Sequence, residues 1–162
     1  MSIWDKYPNY SDSELRALVA ITVQALMESE AAVSQVPEDL LEISTSAASR
    51  ELLPLLQERD PSLSKQQIQN MLEDEHLSRK VSLKLLEELR KYPDLAERVA
   101  QAYELKSGKM FVTESLLLTG ALVILAIKVK KISWGKGKKE ITFYEAGESV
   151  KSFIVGLLKG GA

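Results

Sequence analysis

The chain carries few residues that could do chemistry, and their spacing decides most of the question. His76 is its one histidine and sits in Glu73-Asp74-Glu75-His76. A carboxylate beside an imidazole can orient it and raise its pKa. Consecutive helical positions, however, point about 100° apart and do not converge on one ion or substrate. The expected state is a solvated surface cluster. There is no cysteine, which excludes thiol catalysis, disulfide frameworks and cysteine-ligated metals. Ser62-x-x-Lys65 and Ser133-x-x-Lys136 both match the serine–lysine nucleophile string. One falls at a turn, the other in a loop, and neither has the companion S-D-N or K-T-G elements. Gly135-Lys136-Gly137-Lys138-Lys139 lacks the G-x-x-x-x-G-K-[ST] spacing of a phosphate cradle. The sequence therefore predicts no catalytic residue, no metal site and no cofactor.

Binding surfaces are better represented. Lys128, Lys130, Lys131, Lys136, Lys138 and Lys139 form a lysine-rich stretch and are candidate anion-contacting residues. Near an anionic membrane each would contribute about 1 kcal/mol. No arginine accompanies them after residue 111, and arginine is the preferred reader of bases. The same lysines could meet nucleic-acid phosphates, with Trp134 nearby to stack. Sequence-specific readout is not expected, however, and nucleic acid ranks below the membrane reading. A small-molecule ligand is not expected either. Lysines also protect strand edges from aggregation, which explains the same residues without a ligand. Trp4, Tyr7 and Tyr10 on an N-terminal arm, with Phe153, Ile154 and Leu157 on the last helix, form a candidate protein-interaction surface, since aromatic anchors dominate such interfaces.

These residues need elements to position them. The chain has 162 residues, with 27% charged and 45% hydrophobic, a globular composition long enough for one compact domain or two very small ones. Its net charge is −2, and it is unevenly spread. Residues 1–110 hold 13 Lys/Arg against 19 Asp/Glu, whereas residues 111–162 hold 8 against 4. Ser11 with Glu14, and Ser64 with Gln67, are capping boxes that open helices. The first helix should run to about Glu30, and a second from near Pro37 to Pro54, where the ladder must kink or break. Ile68, Met71 and Leu72 give a short apolar face. Val81, Leu83, Leu85, Leu86 and Leu89 mark a further helix, and Asp94 opens one whose apolar residues are Leu95, Val99, Ala102, Tyr103 and Leu105, with Gly108 as its stop. Ser44–Ser49 is a small-residue patch suited to close helix approach. Ile132-Ser133-Trp134 and Ile141-Thr142-Phe143-Tyr144 flank a glycine loop and read as a β-hairpin. Val150, Phe153, Ile154, Leu157 and Leu158 fall at i, i+3, i+4, i+7 and i+8, one apolar stripe of a last helix. The expected fold is mainly α: an acidic helical bundle or array over 1–109 with its aromatic arm, then a helix–β-hairpin–helix unit over 110–162.

The segment from Phe111 admits two readings. Phe111–Val129 averages about +1.9 on a hydropathy scale, in the range of membrane helices. A helix over Phe111–Ile127 would span about 26 Å, short of a hydrocarbon core of about 30 Å, which favours a buried core element. The β-branched residues Val123, Ile124, Ile127 and Val129 would also suit a buried strand. The N-terminus shows no secretory pattern, giving a cytoplasmic expectation. The expected function is a non-catalytic helical interaction or adaptor module that assembles with itself or a protein partner. The alternative is a membrane-associated protein that inserts 111–127, with the lysines at the cytoplasmic face.

Overall fold

The computed structural model describes residues 2–29, 40–106, 119–134 and 140–160. Among them are seven α-helices and one short antiparallel hairpin, so the chain is mainly α as its sequence indicates. Local signals account for most helix starts. Helix α1 (Asp12–Met27) begins at Ser11, whose hydroxyl accepts from the Glu14 amide while the Glu14 carboxylate accepts from the Ser11 amide. Helix α3 (Lys65–Glu73) repeats this arrangement with Ser64 and Gln67. Asp74, extended at φ −84° and ψ 118°, separates α3 from α4 (Glu75–Leu89) and caps the latter by accepting from the Leu77 amide at 3.0 Å. Pro93 stands first in α5 (Pro93–Lys106), where its missing N–H costs nothing.

Helix α2 departs from expectation. It spans Thr45–Gln57, capped by Ser44, with a separate 3-10 turn at Leu40–Glu42 before it; Pro37 lies outside the described residues. Pro54 does not end the helix, which continues three residues further. The Ser44–Ser49 patch supplies this cap, while Ala48 and Ser49 are buried.

Helix α6 (Thr119–Lys128) forms the centre. Every residue from Thr119 to Ile127 is buried, because α1, α2, α4 and α7 (Tyr144–Leu158) all pack on it. The described part of the apolar segment is therefore a core helix rather than a strand, and residues 111–118 lie outside the description. No helix among the described residues is long and apolar enough to cross a membrane. Core residues from both sequence regions join in one cluster. Two glycines permit the close approaches. A Cβ on Gly120 would lie 2.8 Å from the Ala48 Cβ on α2, and one on Gly147 would lie 2.6 Å from the Ala126 carbonyl oxygen. Buried hydroxyls fix α6 against α4: Ser78 Oγ donates to Thr119 Oγ1 at 3.0 Å, and Ser82 Oγ lies 2.9 Å from the same atom.

After α6, β1 (Lys131–Ile132) pairs with β2 (Ile141–Thr142) in the register Lys131↔Thr142 and Ile132↔Ile141. Helix α7 then starts six residues before Val150, and its inward face keeps Val150 and Ile154 of the apolar stripe but is rotated away from the other three. Ala146, Gly147, Val150, Lys151, Ile154 and Val155 are buried, whereas Phe153, Leu157 and Leu158 are only partly so. Lys151 takes an inward position because Nζ reaches Glu58 at 2.9 Å and Glu148 at 3.2 Å. Burial alone would lower its pKa, but the hydrogen bonds to these two carboxylates outweigh it and raise the pKa. Arg59 pairs with Glu148 at 2.6 Å and also reaches Ser152. The C-terminal end of α2 thus clasps α7.

Candidate functional site: a groove between two helices and the hairpin

A groove of about 550 Å³ runs between α1, α5 and the hairpin. Its floor is Ile21 and Ala25 of α1, buried between the helices. One wall is α5, where Asp94, Glu97, Arg98, Gln101, Ala102 and Leu105 recur at three- and four-residue spacing on one stripe. The other wall is Trp134, just after β1, with Ile141 of β2. Two bonds from distant residues hold that wall: the Trp134 indole N–H donates to the Ala25 carbonyl at 2.9 Å, and the Ser133 amide donates to the buried Ser29 hydroxyl at 3.0 Å. The indole is thereby fixed with one face toward α5, and the Arg98 guanidinium lies 4.5 Å from the ring centroid. Arg98 also reaches Glu28, the residue that ends α1, at 3.8 Å. Glu97 accepts a hydrogen bond from Gln101 at 3.2 Å. Among the described residues, neither Asp94 nor Glu97 has a cationic partner.

Leu105 also lines the groove and is 81% exposed, the most exposed large apolar side chain among the described residues. The sequence grouped it with Leu95 and Val99 among the apolar residues of its helix. Those two are buried, but Leu105, about 80–120° round the helix from them, lies on the groove stripe.

The surface residues expected from sequence divide. Tyr10 and Ile154 are core residues, 3% and 0% exposed, which corrects their assignment to an interaction surface. The arm folds back on α4 and α5: the Tyr10 hydroxyl donates to Ile3, Tyr7 donates to the Leu83 carbonyl at 3.0 Å, and the Trp4 indole donates to the Ala96 carbonyl at 2.8 Å. Burial pushes the Tyr10 hydroxyl up to about 12. Trp4, Tyr7, Phe153 and Leu157 are half-buried against the core. Of the lysines, Lys128 is paired with Glu51 at 3.0 Å, Lys130 lies 5.1 Å from the Tyr144 ring centroid, and Lys131 is exposed on β1. Lys136, Lys138 and Lys139 lie outside the described residues.

The catalytic candidates scatter. His76 is exposed, Asp74 is engaged as a helix cap, and Glu73 accepts from Thr45 at 2.6 Å. Ser62 hydrogen-bonds Asp60 at 2.6 Å within a turn, while Lys65 reaches Ser46 at 2.9 Å, so this serine and lysine do not meet. No group of three or more His, Asp or Glu among the described residues is placed to hold a metal ion. Comparison with protein-family models, curated proteins and solved structures finds no match. The reading of the groove therefore stands on its geometry.

Proposed function

We propose that this protein is a non-catalytic interaction module that receives a segment of a partner protein in the α1–α5–hairpin groove. The observation that carries this reading is Leu105, an 81% exposed leucine lining a groove whose wall is a fixed indole. A large side chain held in water beside an aromatic wall gains free energy only when something covers it. The groove's volume falls within the range of about 300–1,000 Å³ typical of binding clefts. Its polar lining consists of three carboxylates, one guanidinium and two amides, groups that can pair with a partner's polar side chains.

The test is affinity purification from the native source under three conditions. Wild type should retain a stoichiometric partner. Leu105→Ser should weaken that association roughly ten-fold, the loss of about 1.5 kcal/mol for a buried leucine, with an unchanged melting curve. Tyr144→Ala, an exposed aromatic outside the groove, should retain the partner. Equal retention by Leu105→Ser would refute the groove as the interface. A change in the protein's own oligomer size with Leu105→Ser would replace the partner by a second copy.

A further inference from the structure

Resting on the interaction reading just given, we infer that the segment taken by the groove is cationic and amphipathic, with apolar side chains on Leu105 and Ile141 and a lysine or arginine between Asp94, Glu97 and Trp134. The groove already shows how it treats a positive charge: Arg98 lies 4.5 Å from the Trp134 ring centroid and 3.8 Å from Glu28. The negative face of an indole attracts such a cation, the more so as water is excluded. The lining carries three carboxylates, Glu28, Asp94 and Glu97, and one cation, Arg98. Arg98 accounts for Glu28. Asp94 stands four residues before Arg98 and three before Glu97 on the groove side of α5, and among the described residues neither carboxylate has a cation. An anionic segment would meet these two carboxylates at close quarters, and like-charge contact across an interface opposes binding. A purely apolar segment would desolvate them without compensation, which costs free energy. A segment carrying a cation at the spacing of its apolar residues satisfies both halves of the lining.

The experiment is calorimetric titration of the full chain with two short synthetic peptides. One has leucine and lysine at helical spacing, and the other has glutamate in place of lysine. The leucine–lysine peptide should bind, weaken with added salt, and lose about two- to five-fold in affinity with each of Asp94→Asn and Glu97→Gln, the range of an exposed ion pair. Glu75→Gln, which removes an exposed carboxylate outside the groove, should leave that affinity unchanged. Two separate variants keep the test decisive should either fold poorly. If all three variants weaken binding equally the peptide is reading net charge, and if none does these carboxylates do not hold its cation; either result overturns the inference. If both peptides bind alike and Leu105→Ser weakens both, the groove remains an interface but its occupant is not chosen by charge. If neither peptide binds, the cationic occupant is overturned, while the native purification decides the interaction reading separately.

Discussion

Substituting Gly147 tests the central packing of the fold directly. Gly147 lies in α7 where that helix crosses α6, and an added Cβ would stand 2.6 Å from the Ala126 carbonyl oxygen and 3.2 Å from the Ile127 Cα. Both obstacles are backbone, so no side chain can swing aside and the helices must separate. Forcing extra volume into a packed contact costs about 1–3 kcal/mol. Alanine in place of glycine also favours a helix by about 1 kcal/mol, which would mask part of the cost. Gly156 in the same helix supplies the correction, since a Cβ there meets nothing within 4 Å. Gly156→Ala should therefore stabilise the protein by about 0.5–1 kcal/mol. The difference between the two variants isolates the steric term because the propensity gain is common to both. Urea denaturation followed by circular dichroism should place Gly147→Ala about 1–3 kcal/mol below Gly156→Ala, or about 2–12 °C in Tm for a chain of this size. Equal stability of the two variants would show that α7 does not approach α6 this closely, and the account of the core would fail.

Three further perturbations follow from the same core. Thr119→Val keeps the shape of Thr119 but leaves the buried Ser78 and Ser82 hydroxyls without their partner; it should cost about 1–3 kcal/mol, and adding Ser78→Ala and Ser82→Ala should recover part of that loss, as read by urea titration. Ile154→Ala should cost about 2–5 kcal/mol because Ile154 is 0% exposed, and half-buried Phe153→Ala should cost less in thermal melts; a cost for Phe153→Ala equal to or above that of Ile154→Ala would count against the observed inward face. The Arg59 hydrogen bond, with a further one from Lys151, holds the Glu148 carboxyl below its ordinary value of 4.5. Its stabilisation is present above that value and lost as pH falls through the lower folded-state pKa. Glu148→Gln should accordingly flatten the loss of stability on acidification, and an unchanged pH profile in melting experiments would count against the α2–α7 clasp.

The sequence by itself determined the helix starts at Ser11 and Ser64, the hairpin, and the mainly α class. Caps and turns are made by residues within a few positions of one another, and their geometry is written in the chain order. It did not determine what becomes of the apolar segment. A protein interior and a lipid interior are both apolar, and composition alone separates them poorly; α6 becomes a core helix because four other helices cover it. Nor could an apolar stripe predict the inward face of α7, because Lys151 is brought inside by Glu58, 93 positions away in sequence. The candidate groove was the least legible feature. In the sequence Asp94 reads as a helix opener and Leu105 as one more apolar residue of that helix. Only the docking of α5 beside α1, with Trp134 tied to the Ala25 carbonyl 109 positions earlier, places them around one cleft. Local hydrogen bonding fixed the elements, whereas contacts between distant segments decided which faces were buried and which were left exposed.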